Sequence, residues 1–147
     1  MVKIGVAGAY GAFGLKHLDA LANIPNAEVT AVFGPNKDKI EALAAERGIA
    51  TACASYDEFL AADTDAVILS TPTQMHCEQS VKAMEAGKHT FSEIPMADSL
   101  ADAEAMVAAQ ERTGVVGMVG HVRRFNPSHQ YIRNKIDAGA FNIQQMD

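Results

Sequence analysis

The stretch IGVAGAYGAFGLKH, Ile4 to His17, decides how the rest of the chain is read. An apolar run leads into Gly8, Gly11 and Gly14, spaced G-x-x-G-x-x-G. A turn that wraps a pyrophosphate is usually spaced G-x-G-x-x-G, between a strand and the helix it opens. Counting back from Gly14, Ala9 takes the place of the first glycine, so one residue among Ala9 and Tyr10 is extra. Glycines there allow a tight turn and bring the N–H groups around Gly11, Ala12 and Phe13 to face an anion at a helix N-terminus. The plainer reading is a structural strand-to-helix turn. Tyr10 is open to two placements, over a bound nucleotide or out toward solvent.

Outward from this turn, apolar runs alternate with helical patterns. Strands are expected at Val2–Ala7, Ala27–Phe33, Ala66–Ser70, His89–Ser92 and Val115–Gly120, with a weaker one near Ile49–Cys53. Phe13, His17, Leu21 and Ile24 share one helical face, and Ile40, Leu43, Ala44 and Arg47 share another that Gly48 can stop. Thr73 is expected to cap a helix running to Gly87. Ser99 with Asp102 resembles a capping box for a helix ending near Gly114. Asn126 and Pro127 read as N-cap and first turn of a last helix, closing at Gly139. Runs such as DAVILS and VVGMV are apolar almost throughout, which suits strands covered on both faces. The fold class expected is α/β, a doubly wound and mostly parallel sheet of Rossmann type. Residues 1–122 would form a dinucleotide-binding domain, and 123–147 a connecting helix with the start of a further domain. The closing FNIQQMD alternates like the opening of another strand, so the chain reads as the N-terminal part of a longer protein.

Composition narrows the function. With 147 residues there is enough chain for one domain with a core, and 48% hydrophobic with 20% charged residues is ordinary for a soluble protein. A net charge of −6 argues against nucleic acid. Cys53 and Cys77 form no metal-ligand spacing and suggest no disulfide framework, so no metal site is expected and a reduced, cytoplasmic setting is the default. No signal peptide or membrane-spanning run is read from the sequence.

The remaining motifs fall at strand ends, where open α/β sheets bind ligands. After the second strand comes VFGPNKDK. Gly34 stands near the place of the acid that would bind an NAD ribose, with Asn36 and Lys37 following. That charge balance favours the 2′-phosphate of NADP. Lys37 can equally be a solvated residue of its helix, and Asp38 keeps NAD open. STPTQMH puts Ser70, Thr71 and Pro72 at the next strand end, with His76 in the following helical turn, either aimed at the crevice or capping a helix. SEIPMADS puts Glu93 and Ile94 beside the same crevice, where Glu93 is a ribose or nicotinamide contact or else a surface charge. GHVRRFNPSH gathers His121, Arg123 and Arg124 where substrate would enter. Arginine forks match carboxylates, so a small anionic substrate is expected, the alternative being a salt-bridged pair that supports the helix from Asn126.

The glycine turn with G-x-x-H, then T-P-x-x-x-H, E-x-P and R-F-N-P, resembles the glucose–fructose oxidoreductase / inositol dehydrogenase family over essentially the whole chain. The resemblance implies an NAD(P)-dependent oxidoreductase acting on a CH–OH group, with a small dicarboxylate as substrate. It implies that Gly8, Gly11 and Gly14 form the pyrophosphate turn, that Thr71, Pro72 and His76 line the nicotinamide half, and that Glu93 meets its ribose. Arg123 and Arg124 would lie beside substrate carboxylates. It also implies a second, antiparallel-sheet domain beyond this chain, through which the full-length protein pairs as a homo-oligomer. Much of that family carries E-K-P. Here Ile94 replaces the lysine and cannot move a proton, so the main base is expected outside this chain and His76 is the single candidate within it. Two alternatives stand beside this reading: a sugar or polyol dehydrogenase of the same family, and a nucleotide-binding protein without turnover.

Overall fold

The computed structural model describes residues 1–141 and Gln144. Strand and helix alternate along it: β1 (Val2–Ala7), α1 (Ala12–Leu21), β2 (Ala27–Phe33), α2 (Lys37–Arg47), β3 (Thr51–Cys53), α3 (Tyr56–Ala61), β4 (Ala66–Leu69), α4 (His76–Glu85), β5 (His89–Ser92), α5 (Leu100–Thr113), β6 (Gly117–Val119) and α6 (Pro127–Asp137). The strands form one sheet, every pairing parallel, in the order β3-β2-β1-β4-β5-β6. That is the doubly wound arrangement, and the chain reverses its direction of winding between β1 and β4. A crevice therefore opens outside the carboxyl ends of these two strands.

Alternation along the strands feeds two cores. Val6 and Val32 pack with Leu18 and Leu21 of α1 and with Ile40 and Leu43 of α2. Ala7, Phe33, Val67 and Leu69 face the other way, onto Phe59 of α3 and Ala83 of α4. Phe33, Tyr56 and Phe59 stack with ring centroids 5.6–5.9 Å apart. Phe59 is fully buried and lies over Gly5, where an added Cβ would come within 2.7 Å of its ring. The two cores fix the sheet from both sides and hold its strand ends in place.

Local signals explain most helix limits. The Asn36 side chain accepts the Lys39 N–H, and Gly48 ends α2 at φ 66°. Ser99 accepts the Asp102 N–H, while its own hydroxyl donates to the Asp102 carboxylate. Asn126 caps α6 ahead of Pro127.

Several expectations are corrected. Thr73 caps no helix: it begins a 3₁₀ turn, Thr73–Met75, that runs directly into α4, with Pro72 ahead of it. β4 stops at Leu69, because Ser70 already turns its side chain back to the Ala7 carbonyl. β6 is shorter than its apolar run: its residues paired with β5 are Gly117–Val119, and Val116 contributes to that ladder only its carbonyl, which accepts the Thr90 N–H. β3 likewise begins at Thr51 rather than near Ile49. On α1 the buried stripe is Gly14, Leu18 and Leu21, and both Phe13 and Ile24 are exposed. α3 was not expected; Ser55 and Glu58 close it with a reciprocal capping box. The strand expected over 141–147 falls outside the described residues apart from Phe141 and Gln144.

Candidate functional site

At the end of β1, Gly8 adopts φ 71°, and an added Cβ there would lie 2.5 Å from the Ser70 carbonyl oxygen. At Gly14 an added Cβ would run into the Gly8 carbonyl. These positions let α1 start directly on the turn. The Gly8 and Ala9 N–H groups both donate to the Phe33 carbonyl, at 2.9 and 3.2 Å, and Gly11 donates back to Gly8 at 2.9 Å. Among the described residues, the N–H groups of Ala12, Phe13 and Gly14 donate to no protein acceptor. A turn that only glycines let pack this tightly, with free N–H groups at a helix N-terminus, fits a pyrophosphate.

The extra residue of the turn, Tyr10, folds back onto the domain rather than out into solvent. Tyr10 folds toward the end of β2 and lies against Gly34, where an added Cβ would come within 2.9 Å of Cδ1 and 3.0 Å of Cζ. The phenol oxygen accepts the Asn36 N–H at 3.2 Å, and the Lys39 ammonium lies 6.0 Å from the ring centroid. The Asn36 side chain is occupied with capping α2. Lys37 is exposed, 3.8 Å from Glu41.

Beyond the turn, a crevice of about 320 Å³ is lined by Phe13, Ser70, Thr71, Pro72, His76, Glu93, Ile94 and Arg123, with Thr73 and Val122. Residues from four separate motifs therefore meet in one space. Its polar groups are tightly held. The Thr71 hydroxyl donates to the Gln79 side-chain oxygen at 2.6 Å. His76 is 1% exposed, and its two ring nitrogens lie 2.8 Å from the Thr71 carbonyl and 2.9 Å from the Pro95 carbonyl. Carbonyl oxygens only accept, so His76 meets both with N–H only when both nitrogens carry protons. Glu93 is also buried, and its Oε1 lies 2.7 Å from Nε2 of His17. His17 packs its ring edge-on against Phe91, the residue of β5 on the same side.

Two residues that hold this crevice together were not singled out for it. His17 entered the sequence reading as one position of a helical face and as the histidine of G-x-x-H, and nothing in its spacing announces that the end of β5 lies opposite. Gln79 carries no signal at all in an amphipathic helix.

Arg123 and Arg124 sit in a 3₁₀ turn, Val122–Phe125. Arg123 borders the crevice and also a second, more open cavity of about 600 Å³, which it lines with Arg124, His129 and Arg133. Among the described residues neither arginine at 123 or 124 pairs with an acid. α6 is instead braced by backbone acceptors: His129 Nδ1 lies 3.0 Å from the Arg123 carbonyl, and the Gln130 amide donates to that of Arg124 at 3.2 Å. His121 is exposed and lines neither cavity.

A parallel doubly wound sheet with a glycine turn at its switch point has the architecture of a dinucleotide-binding domain. The chain belongs to the GFO/IDH/MocA oxidoreductase family, NAD-binding Rossmann fold, whose model matches residues 2–121. It is 54% identical over 147 residues to 4-carboxy-2-hydroxymuconate-6-semialdehyde dehydrogenase of Sphingobium sp. (strain NBRC 103272 / SYK-6), covering 99% of this chain and 46% of that protein. It is 36% identical to scyllo-inositol 2-dehydrogenase (NAD(+)) of Bacillus subtilis, covering 94% of this chain and 41% of that one. The crystal structure of scyllo-inositol dehydrogenase from Lactobacillus casei with bound NAD(H) and scyllo-inositol superimposes with a TM-score of 0.90 at 28% identity, covering 95% of this chain and 42% of that one. The chain thus spans less than half the length of these relatives. Dehydrogenases of this family use NAD(P) and act on CH–OH groups.

Proposed function

We propose that this chain is the cofactor-binding part of an NADP-preferring dehydrogenase. The full-length enzyme would oxidise the cyclic hemiacetal of 4-carboxy-2-hydroxymuconate-6-semialdehyde to 2-pyrone-4,6-dicarboxylate, a step of protocatechuate 4,5-cleavage. The observation that carries this reading is Arg123. Arg123 lines the crevice and pairs with no acid among the described residues. A cation without a counter-ion, beside a second arginine, suits a substrate with two carboxylates. The 54% identity to a dehydrogenase of that name supports the particular substrate.

NADP supplies the hydride acceptor. The N–H groups of Ala12, Phe13 and Gly14 hold its pyrophosphate, and Gly8 and Gly11 keep that surface open. Ser70, Thr71, Pro72 and Ile94 wall the nicotinamide half, and Glu93 meets its ribose. Arg123 and Arg124 hold the substrate carboxylates so that the hemiacetal carbon faces the cofactor closely enough to react. The reaction removes a hydride from that carbon and a proton from its hydroxyl, leaving the lactone carbonyl. The proton needs a base. His76 is buried with both nitrogens against carbonyls, so we assign it to bracing the two strand-end loops. The base belongs to the part of the protein beyond this chain.

In this scheme residues 1–122 are the dinucleotide domain and 123–147 lead toward the substrate domain, where the protein would pair as a cytoplasmic homo-oligomer. The second reading is a polyol dehydrogenase, favoured by the 36% identity to an inositol enzyme. Turnover by the full-length protein on a panel of both substrate classes, with pyrone formation followed directly, separates the two. Oxidation of inositol without any pyrone would overturn the dicarboxylate reading.

A further inference from the structure

We propose that Tyr10, the extra residue of the glycine turn, reads the 2′ position of the adenosine ribose, and that Gly34 is glycine in order to admit it. The proposal rests on the NADP preference put forward above.

In a doubly wound sheet the adenosine ribose lies between the turn after β1 and the end of β2, where an acidic side chain takes its hydroxyls. In this chain that side chain is missing and its ground is taken. The Tyr10 ring lies on Gly34, and any Cβ at 34 would enter the ring. A tyrosine at 10 and an acid at 34 exclude each other sterically, so the added residue and the lost carboxylate are one change.

The hydrogen bonding gives the phenol a direction. Its oxygen accepts the Asn36 N–H, which uses a lone pair and leaves the phenol proton free. Among the described residues no protein acceptor takes that proton. The ring is only partly buried and its rear face packs into the core beside β2, so the proton has a route outward at the strand end. The nearby charges are Lys39, over the ring, and Lys37, exposed in the same helical turn, with Asp38 between them. A phenol donor with the Lys39 ammonium over its ring suits a phosphate. A bare ribose hydroxyl would gain one neutral hydrogen bond at most, and a charged acceptor gains roughly twice as much.

The test is a titration of NADPH and of NADH, by cofactor fluorescence, against this chain and its Tyr10→Phe, Gly34→Asp and Tyr10→Gly/Gly34→Asp variants. Circular dichroism melts report whether each is folded. Tyr10→Phe keeps the ring on Gly34 and removes the hydroxyl, both its donor proton and the oxygen that accepts the Asn36 N–H. It should weaken NADPH binding about tenfold and change NADH binding by less than about twofold. Gly34→Asp should weaken both cofactors, because it displaces the ring. The double variant, with the ring gone and the acid restored, should bind NADH more tightly than NADPH. A wild-type preference for NADPH that survives intact in Tyr10→Phe would overturn this proposal and leave the NADP reading standing. A wild-type chain that prefers NADH would remove both.

Discussion

Nε2 of His17 lies 2.7 Å from Oε1 of Glu93, which joins the second turn of α1 to the end of β5 across the mouth of the crevice. The two side chains are 18% and 9% exposed, so water does little to replace either partner. His17→Ala should therefore lower the unfolding free energy by about 1–3 kcal/mol, since a buried carboxylate loses its partner. It should also weaken NADPH binding, because the carboxylate assigned to the ribose loses its orientation. Urea denaturation and cofactor titration check both effects. Unchanged values in the two assays would mean that the pair holds nothing in place.

His76 separates two roles cleanly. As a brace, its removal takes away the side chain that bridges the Thr71 and Pro95 carbonyls and leaves a gap where a buried ring stood, and His76→Ala should cost about 1–3 kcal/mol of stability. In the full-length enzyme the pH profile of kcat/KM should keep both limbs while the Kd for NADPH rises. Loss of the acidic limb, where an essential base becomes protonated and stops working, with stability intact would show that His76 is the base after all.

Two left-handed glycines give an internal comparison. Gly8 and Gly48 have nearly the same φ, 71° and 66°, but an added Cβ meets the Ser70 carbonyl at Gly8 and open space at Gly48. Gly48→Ala should cost about 1 kcal/mol, the conformational penalty alone. Gly8→Ala should cost clearly more than that and abolish cofactor binding as the turn shifts. Equal losses in thermal unfolding at the two positions would show that the close approach to β4 carries no weight.

Much of this site was legible in the sequence, and the omissions share a cause. Continuous apolar runs announced the strands, and Gly48, Ser99 and Asn126 marked helix limits through local chemistry, whereas the capping role of Asn36 emerged only in the structure. Ser55 and Glu58 carried a legible capping box, yet α3 is so short that no periodic stripe drew attention to it. Ser70, Thr71, Glu93 and Arg123 were read as one crevice because strand ends converge in this topology. The partners of those residues were hidden. That His17 meets Glu93, or Tyr10 meets Gly34, depends on how far α1 rotates on the sheet and where one extra turn residue folds. Both are set by tertiary packing.

Tyr56 predicts an alkaline limit. Its hydroxyl donates to the Gln79 backbone carbonyl at 2.7 Å, and burial, with a smaller contribution from the Glu78 charge, pushes the phenol well above its ordinary range. The folded state therefore holds this proton more tightly than the unfolded chain. The resulting stability is complete below about pH 10, the ordinary tyrosine value, and is lost as pH rises above it. Tyr56→Phe should cost about 1 kcal/mol at neutral pH and flatten the alkaline fall in urea stability relative to wild type. An identical alkaline slope in both proteins would assign that fall to other groups.

The Phe33 carbonyl, which takes the N–H groups of both Gly8 and Ala9, limits how this domain can be re-engineered. It pins the loop to which we assign the phosphates to the strand end to which we assign the choice between nucleotides. A substitution that reshapes one shifts the other. Converting the chain from one nucleotide to the other by stepwise mutation should pass through variants that hold neither well, so linked changes at both places would have to arise together.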